Sequence, residues 1–100
     1  MTQVKVSQIR GGMRNMKIIG ILKEVERPVG IKARYGPALL VRAILEDETG
    51  SVHLNLWRQQ IDVAKIGDKI VLENAFAREF SGVIEVNIGA DGKTFVVDDT

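Results

Sequence analysis

Three aromatic side chains, Trp57, Phe76 and Phe80, stand among the arginines Arg42, Arg58 and Arg78. A ring face stacks on other planar π-systems, and a guanidinium beside it pairs with an anion; the set suits a ligand both planar and negatively charged. Lys32 and Arg34 add two cations in the stretch PVGIKARYGP, where Ile31 is an apolar neighbour. Nothing comparable supports catalysis. The carboxylates of Glu46 to Glu48 and of Asp98 and Asp99 fall at a turn and a terminus, as solvated charge does. The glycines of RGGMRN and VGIKARYGP lack the phosphate-loop pattern, and no long helix follows them. There is no cysteine and one histidine, His53, without partners for a metal site or a nucleophilic triad. No catalytic residue, metal or cofactor is expected.

The backbone that carries these residues reads as strands. KIIGILKEVER, Lys17 to Arg27, is a long first strand whose apolar residues occupy both phases around Gly20, as where a strand bends and serves two sheets. PVGIKARYGP is too rich in Gly and Pro to continue the ladder and is expected as an exposed loop. ALLVRAILED is a second strand, DETGS a hairpin turn, and SVHLNLW a third strand. QQIDVAKI suggests a short helical turn between strands three and four. KIVLENAF and VIEVNIG supply the fourth and fifth strands, and ADGKTFVV a terminal hairpin arm. The expected fold is all-β: a five-stranded OB-fold barrel over residues 4–97, with residues 1–3 and 98–100 as flexible ends. Closure removes exposed edges, which a chain with a small core needs.

Strand parity decides what the aromatics do. Val52, Leu54 and Leu56 claim the interior, so His53, Asn55 and Trp57 point outward. A lone tryptophan in a small domain is usually core, but parity opposes that here. Phe76 shares its phase with Ile70 and Leu72, which favours burial unless a bulge near Asn74 or Ala75 reverses it. The pattern leaves that choice open.

Charge is uneven along the chain. Residues 1–45 carry nine Lys/Arg against two Glu, a net of +7, and the remainder carries five basic and eleven acidic groups, a net of −6. That asymmetry suggests a cationic side facing an anionic partner. No apolar run reaches the ~18 residues of a membrane span, and MTQVKVSQIR lacks a signal-peptide core, so a cytoplasmic protein without membrane contact is expected. Aromatic platforms interleaved with cations fit single-stranded nucleic acid, whose unpaired bases offer π-faces and whose linkages carry phosphate. Duplex fits less well, because its bases are already stacked and no helix is available for the major groove.

From GMRNMKIIGIL through LEDETGSVHLNLW to IGDKIVLENAFAREFSGVIEVNIG, the sequence resembles the archaeal single-stranded DNA-binding proteins with one OB-fold, relatives of replication protein A. The resemblance implies a non-enzymatic protein that coats single-stranded DNA with little sequence preference in replication, recombination and repair. By the same resemblance, Trp57, Phe76 and Phe80 are the stacking residues, and the loop between strands one and two contributes Ile31 and Arg34. Relatives often carry tryptophan where this chain has Phe76. Around them, Lys32, Arg42, Arg58 and Arg78 are expected at phosphates, with His53 and Asn55 either at base edges or as ordinary surface. Replication or repair proteins are candidate partners. Two other readings stay open, an RNA-binding OB-fold of the anticodon type and a protein-interaction OB-fold.

Overall fold

Gly20 sits where the first long strand must serve two neighbours. A Cβ there would come within 2.8 Å of the Glu46 carbonyl oxygen and 2.9 Å of the Leu45 side chain, so only glycine allows the approach. In a computed structural model that describes residues 1–33, 36–57, 60–61 and 64–97, this strand is β2 (Met16–Val25). From Met16 to Ile21 it pairs antiparallel with β6 (Lys69–Phe80), and from Ile21 to Val25 with β4 (Gly36–Asp47). The bend expected from the apolar pattern is therefore present.

The ring closes through β5 (Gly50–Trp57) and β7 (Val83–Val96). β4 pairs antiparallel with β5, β5 parallel with β7, and β7 antiparallel with β6, which returns to β2. The order β2-β4-β5-β7-β6 is a closed five-stranded barrel of OB topology. Inside it, Ile18, Leu22, Leu45, Leu54, Leu56, Ile70, Leu72 and Val86 are buried. Each such side chain stabilises the fold by roughly 1.5–3 kcal/mol relative to exposure.

Four departures from the sequence reading have physical causes. The expected loop after Pro28 is a hairpin: β3 (Val29–Ala33) pairs with the start of β4 through Val29–Leu40, Ile31–Ala38 and Lys32–Pro37. β3 pairs with no other strand among those described, so it is an edge, where proline and glycine are tolerated. The terminal hairpin arm is absent; Val83 to Val96 is one strand, pairing with β6 on both sides of an irregularity opposite Glu73 to Ala75. Thr2 and Gln3, expected as a loose end, form β1 and pair in parallel with Met16 and Lys17. Finally, a 3-10 turn, η1 (Val6–Gln8), brings Val6 and Ile9 into the core. It is tied to the β4–β5 turn by the Val6 amide donating to Asp47 Oδ2 (2.8 Å) and the Ser7 amide to Thr49 Oγ1 (2.9 Å). The helical turn expected between strands three and four falls largely outside the described residues, as do residues 98–100.

Candidate nucleic-acid interface

Register across the barrel gathers outward side chains into rows. Arg42 pairs with Asn55, Asn55 with Asn87, and Asn87 with Phe76, so one row spans β4, β5, β7 and β6. Paired residues point to the same face. The next row runs Ile44, His53, Glu85, Arg78, and beyond it Phe80 pairs with Val83 at the β6–β7 turn. On the other side of Arg42, Trp57 pairs with Leu40, and Leu40 with Val29.

The phase of Phe76 is decided by a bulge. Register shifts between Glu73 and Ala75 against β7, and between Met16 and Ile18 against β2, with Asn74 at φ +56°. One extra residue reverses the alternation. Ile70 and Leu72 face inward before it; Ala75 and Ala77 face inward after it, and Phe76, Arg78 and Phe80 face outward. Asparagine suits the bulge because it tolerates the left-handed region better than most residues.

The three aromatics differ in how firmly they are held. Trp57 is half-buried; its indole Nε1–H donates to Asn87 Oδ1 at 3.1 Å, and its backbone N–H to Gln60 Oε1 at 2.9 Å. Phe76 is also half-buried, with the Arg78 guanidinium 5.5 Å from its ring centroid, within cation–π range. Phe80 is 71% exposed. Trp57 and Phe76 flank Asn87, which hydrogen-bonds one and pairs in register with the other.

Asn55 departs from the expectation of an ordinary surface position. It faces outward but is only 7% exposed, and its Nδ2 donates to Glu85 Oε1 at 2.8 Å and to Asn87 Oδ1 at 3.3 Å. Asn55, Asn87 and Glu85 thus form a polar floor between the aromatics, and a buried amide so engaged is stiff. His53 and Arg42 are exposed beside it. Leu40, 3% exposed, lies on the outward phase yet outside the barrel core, so it is an apolar floor beneath the Trp57 end. The sequence signal for Asn87 and Glu85 was their outward parity in VIEVNIG. That Asn87 meets Trp57 depends on the parallel β5–β7 register, which no local pattern contains.

On the β3–β4 hairpin, Ile31 shares the phase of Ala38 and Leu40 and is half-buried. Lys32, paired with Pro37, alternates to the opposite face and is exposed there, so register does not group it with the aromatics. Arg34 and Arg58 lie outside the described residues. The uneven charge along the sequence is partly cancelled by folding: Lys5 pairs with Glu48 at 2.5 Å and Lys23 with Glu46 at 3.9 Å. Basic first-half residues meet acidic second-half ones because β2 and the N-terminal turn pack on the β4–β5 hairpin. Among the described residues, no cluster of three or more His, Cys, Asp or Glu could hold a metal ion, and no helix is long and apolar enough to cross a membrane.

Comparison with known proteins agrees with this barrel fold. Residues 13–96 match the family described as single-stranded DNA binding protein Ssb-like, OB fold. A relative from Saccharolobus solfataricus, the single-stranded DNA binding protein Ssb, is 29% identical over 89 residues, which cover 89% of this chain and 60% of that protein. The chain thus spans less than two thirds of that relative's length. Among solved structures, an OB domain from Thermoplasma acidophilum superposes with a TM-score of 0.86 at 15% identity, covering 100% of this chain and 91% of that one. The replication factor A related protein of Methanobacterium thermoautotrophicum gives 0.80 at 22% identity, covering 96% and 91%. These likenesses to solved structures concern the fold. With its barrel order, its outward aromatics and a match over most of its length, this chain belongs to the Ssb-like family of single-stranded DNA-binding OB-fold proteins.

Proposed function

We propose that this protein coats single-stranded DNA with little sequence preference, without catalysis, by stacking bases on Trp57, Phe76 and Phe80 and pairing phosphates with the cations around them. Such a coat would protect exposed strands during replication, recombination and repair in the cytoplasm, with replication or repair proteins as partners. The observation that carries this reading is the bulge at Asn74, which turns Phe76, Arg78 and Phe80 to the face that bears Trp57 and Arg42. A stacked base interacts through a π-face that every base possesses, so such a surface discriminates little by sequence. Arg42 and Arg78 are the described cations of that face; Arg34 and Arg58 are proposed to join them, and Lys32, on the reverse of its hairpin, to act through long-range attraction. Ile31 would pack against a sugar or base edge, and His53 is the exposed edge donor; Asn55, already hydrogen-bonded, holds the floor.

The test is titration of Trp57 fluorescence. A pyrimidine oligonucleotide quenches it, and a matched duplex does not. A spectrum unchanged at saturating oligomer sinks the stacking role, and tighter binding of the matched RNA would move the ligand from DNA to RNA, since only RNA offers a 2′-hydroxyl.

A further inference from the structure

Beside Phe76, on the side away from β7, a pocket of about 590 Å³ opens between β6 and the segment that leads into β2. Its walls include Arg14, Asn15, Asn74, Phe76, Arg78 and Glu79. That volume is within the range of roughly 300–1,000 Å³ typical of small-molecule sites. The segment is held in place by backbone pairing: the Gly12 N–H donates to the Ala77 carbonyl and the Ala77 N–H to the Met13 carbonyl, both at 2.9 Å. Gly11 packs closely on β6, where an added Cβ would come 3.0 Å from Glu79 Cβ and 3.2 Å from its backbone nitrogen. Three left-handed residues curve the walls, Gly12 at φ +90°, Asn15 at +58° and Asn74 at +56°.

We infer that this pocket is a nucleotide subsite, which receives one further base and its phosphate where the bound strand passes beyond Phe76; this rests on the single-strand reading above. The chemistry of the walls suits a nucleotide. Among the described residues, no partner hydrogen-bonds the side-chain amides of Asn15 and Asn74 or the guanidinium of Arg14. Two unengaged amides offer donors and acceptors to a base edge, as single-strand recognition requires. Arg14 and Arg78 supply cations for the phosphate, and the Glu79 carboxylate repels an anion from its own end, so the phosphate belongs on the arginine side. The Phe76 ring forms one wall, which makes the subsite continuous with the stacking surface. This pocket brings in residues 12–15, which the sequence patterning did not connect with the aromatics.

The backbone gives a clean variant. Glycine accepts the left-handed conformation of both asparagines, so Asn15→Gly with Asn74→Gly removes two amides and keeps the fold. Trp57 fluorescence is titrated with oligothymidylates lengthened one nucleotide at a time, for the unsubstituted protein, this double variant and Arg14→Ala. Unsubstituted protein gains affinity until the subsite fills. In the double variant the gain from the last nucleotide, about three- to tenfold, disappears, while shorter oligomers bind as before. Arg14→Ala lowers the salt slope by about 0.7. Variants that follow the unsubstituted protein at every length and salt overturn the subsite and leave the stacking surface standing. Absence of binding by the unsubstituted protein overturns both.

Discussion

Asn87 does what no aromatic does alone: one carbonyl oxygen accepts from the Trp57 indole and from the Asn55 amide. Replacing it by alanine strands two donors near the barrel wall, and an unsatisfied group costs about 1–3 kcal/mol. Asn87→Ala is therefore expected to lower thermal stability and to free the indole, raising its fluorescence depolarisation before any ligand is added. A variant whose Trp57 stays equally rigid would show that packing on Leu40, rather than the hydrogen bond, holds the ring. Trp57→Ala is expected to weaken oligonucleotide binding by about 1–3 kcal/mol, the value of one stacked base. Because Trp57 is half-buried over Leu40, some loss of stability will accompany it, so Trp57→Phe is the cleaner comparison: stacking persists in part and the hydrogen bond is lost.

The bulge in β6 and the turn between β4 and β5 are the two local features that shape the barrel most. Asn74→Val places a β-branched residue at φ +56°, which costs about 1–2 kcal/mol or more and favours a β6 without the bulge. An unbulged β6 would send Phe76 inward with Ile70 and Leu72, so this variant is expected to lose oligonucleotide affinity along with stability. Asn74→Gly should retain the fold. The β4–β5 turn is braced by Asp47. Partial burial raises its pKa, but hydrogen bonds from the Thr49 hydroxyl and from the Val6 and Thr49 amides outweigh that and hold the carboxyl below its ordinary value. A depressed folded-state pKa means stability that is present above the unfolded value, about 3.9, and is lost as pH falls through the lower folded value. Asp47→Asn should therefore be less stable than the parent at neutral pH, with the difference shrinking in acid. A difference that stayed constant down to strongly acidic pH would show that the charge plays no part in tying η1 to the hairpin.

Folding redistributes the charge that is uneven along the chain. The excess of Lys and Arg in the first 45 residues is partly offset on folding, because Lys5 and Lys23 pair with Glu48 and Glu46. Binding should then depend on a few cations near the aromatics. If about four of them contact phosphate, log affinity falls with log salt with a slope near −3. A slope beyond about −6 would mean a much broader electrostatic footprint. The sequence alone specified the barrel, because alternation in ALLVRAILED and SVHLNLW, the DETGS turn and the glycine at position 20 are local patterns with local causes. It also determined that Trp57 leaves the core, since Leu54 and Leu56 fill it. The side of Phe76, the burial of Asn55 and its contact with Asn87, and the pairing of β3 as an edge hairpin emerge only on folding. Each of these depends on register between strands distant in sequence, and a single-residue slip exchanges every inward side chain for an outward one.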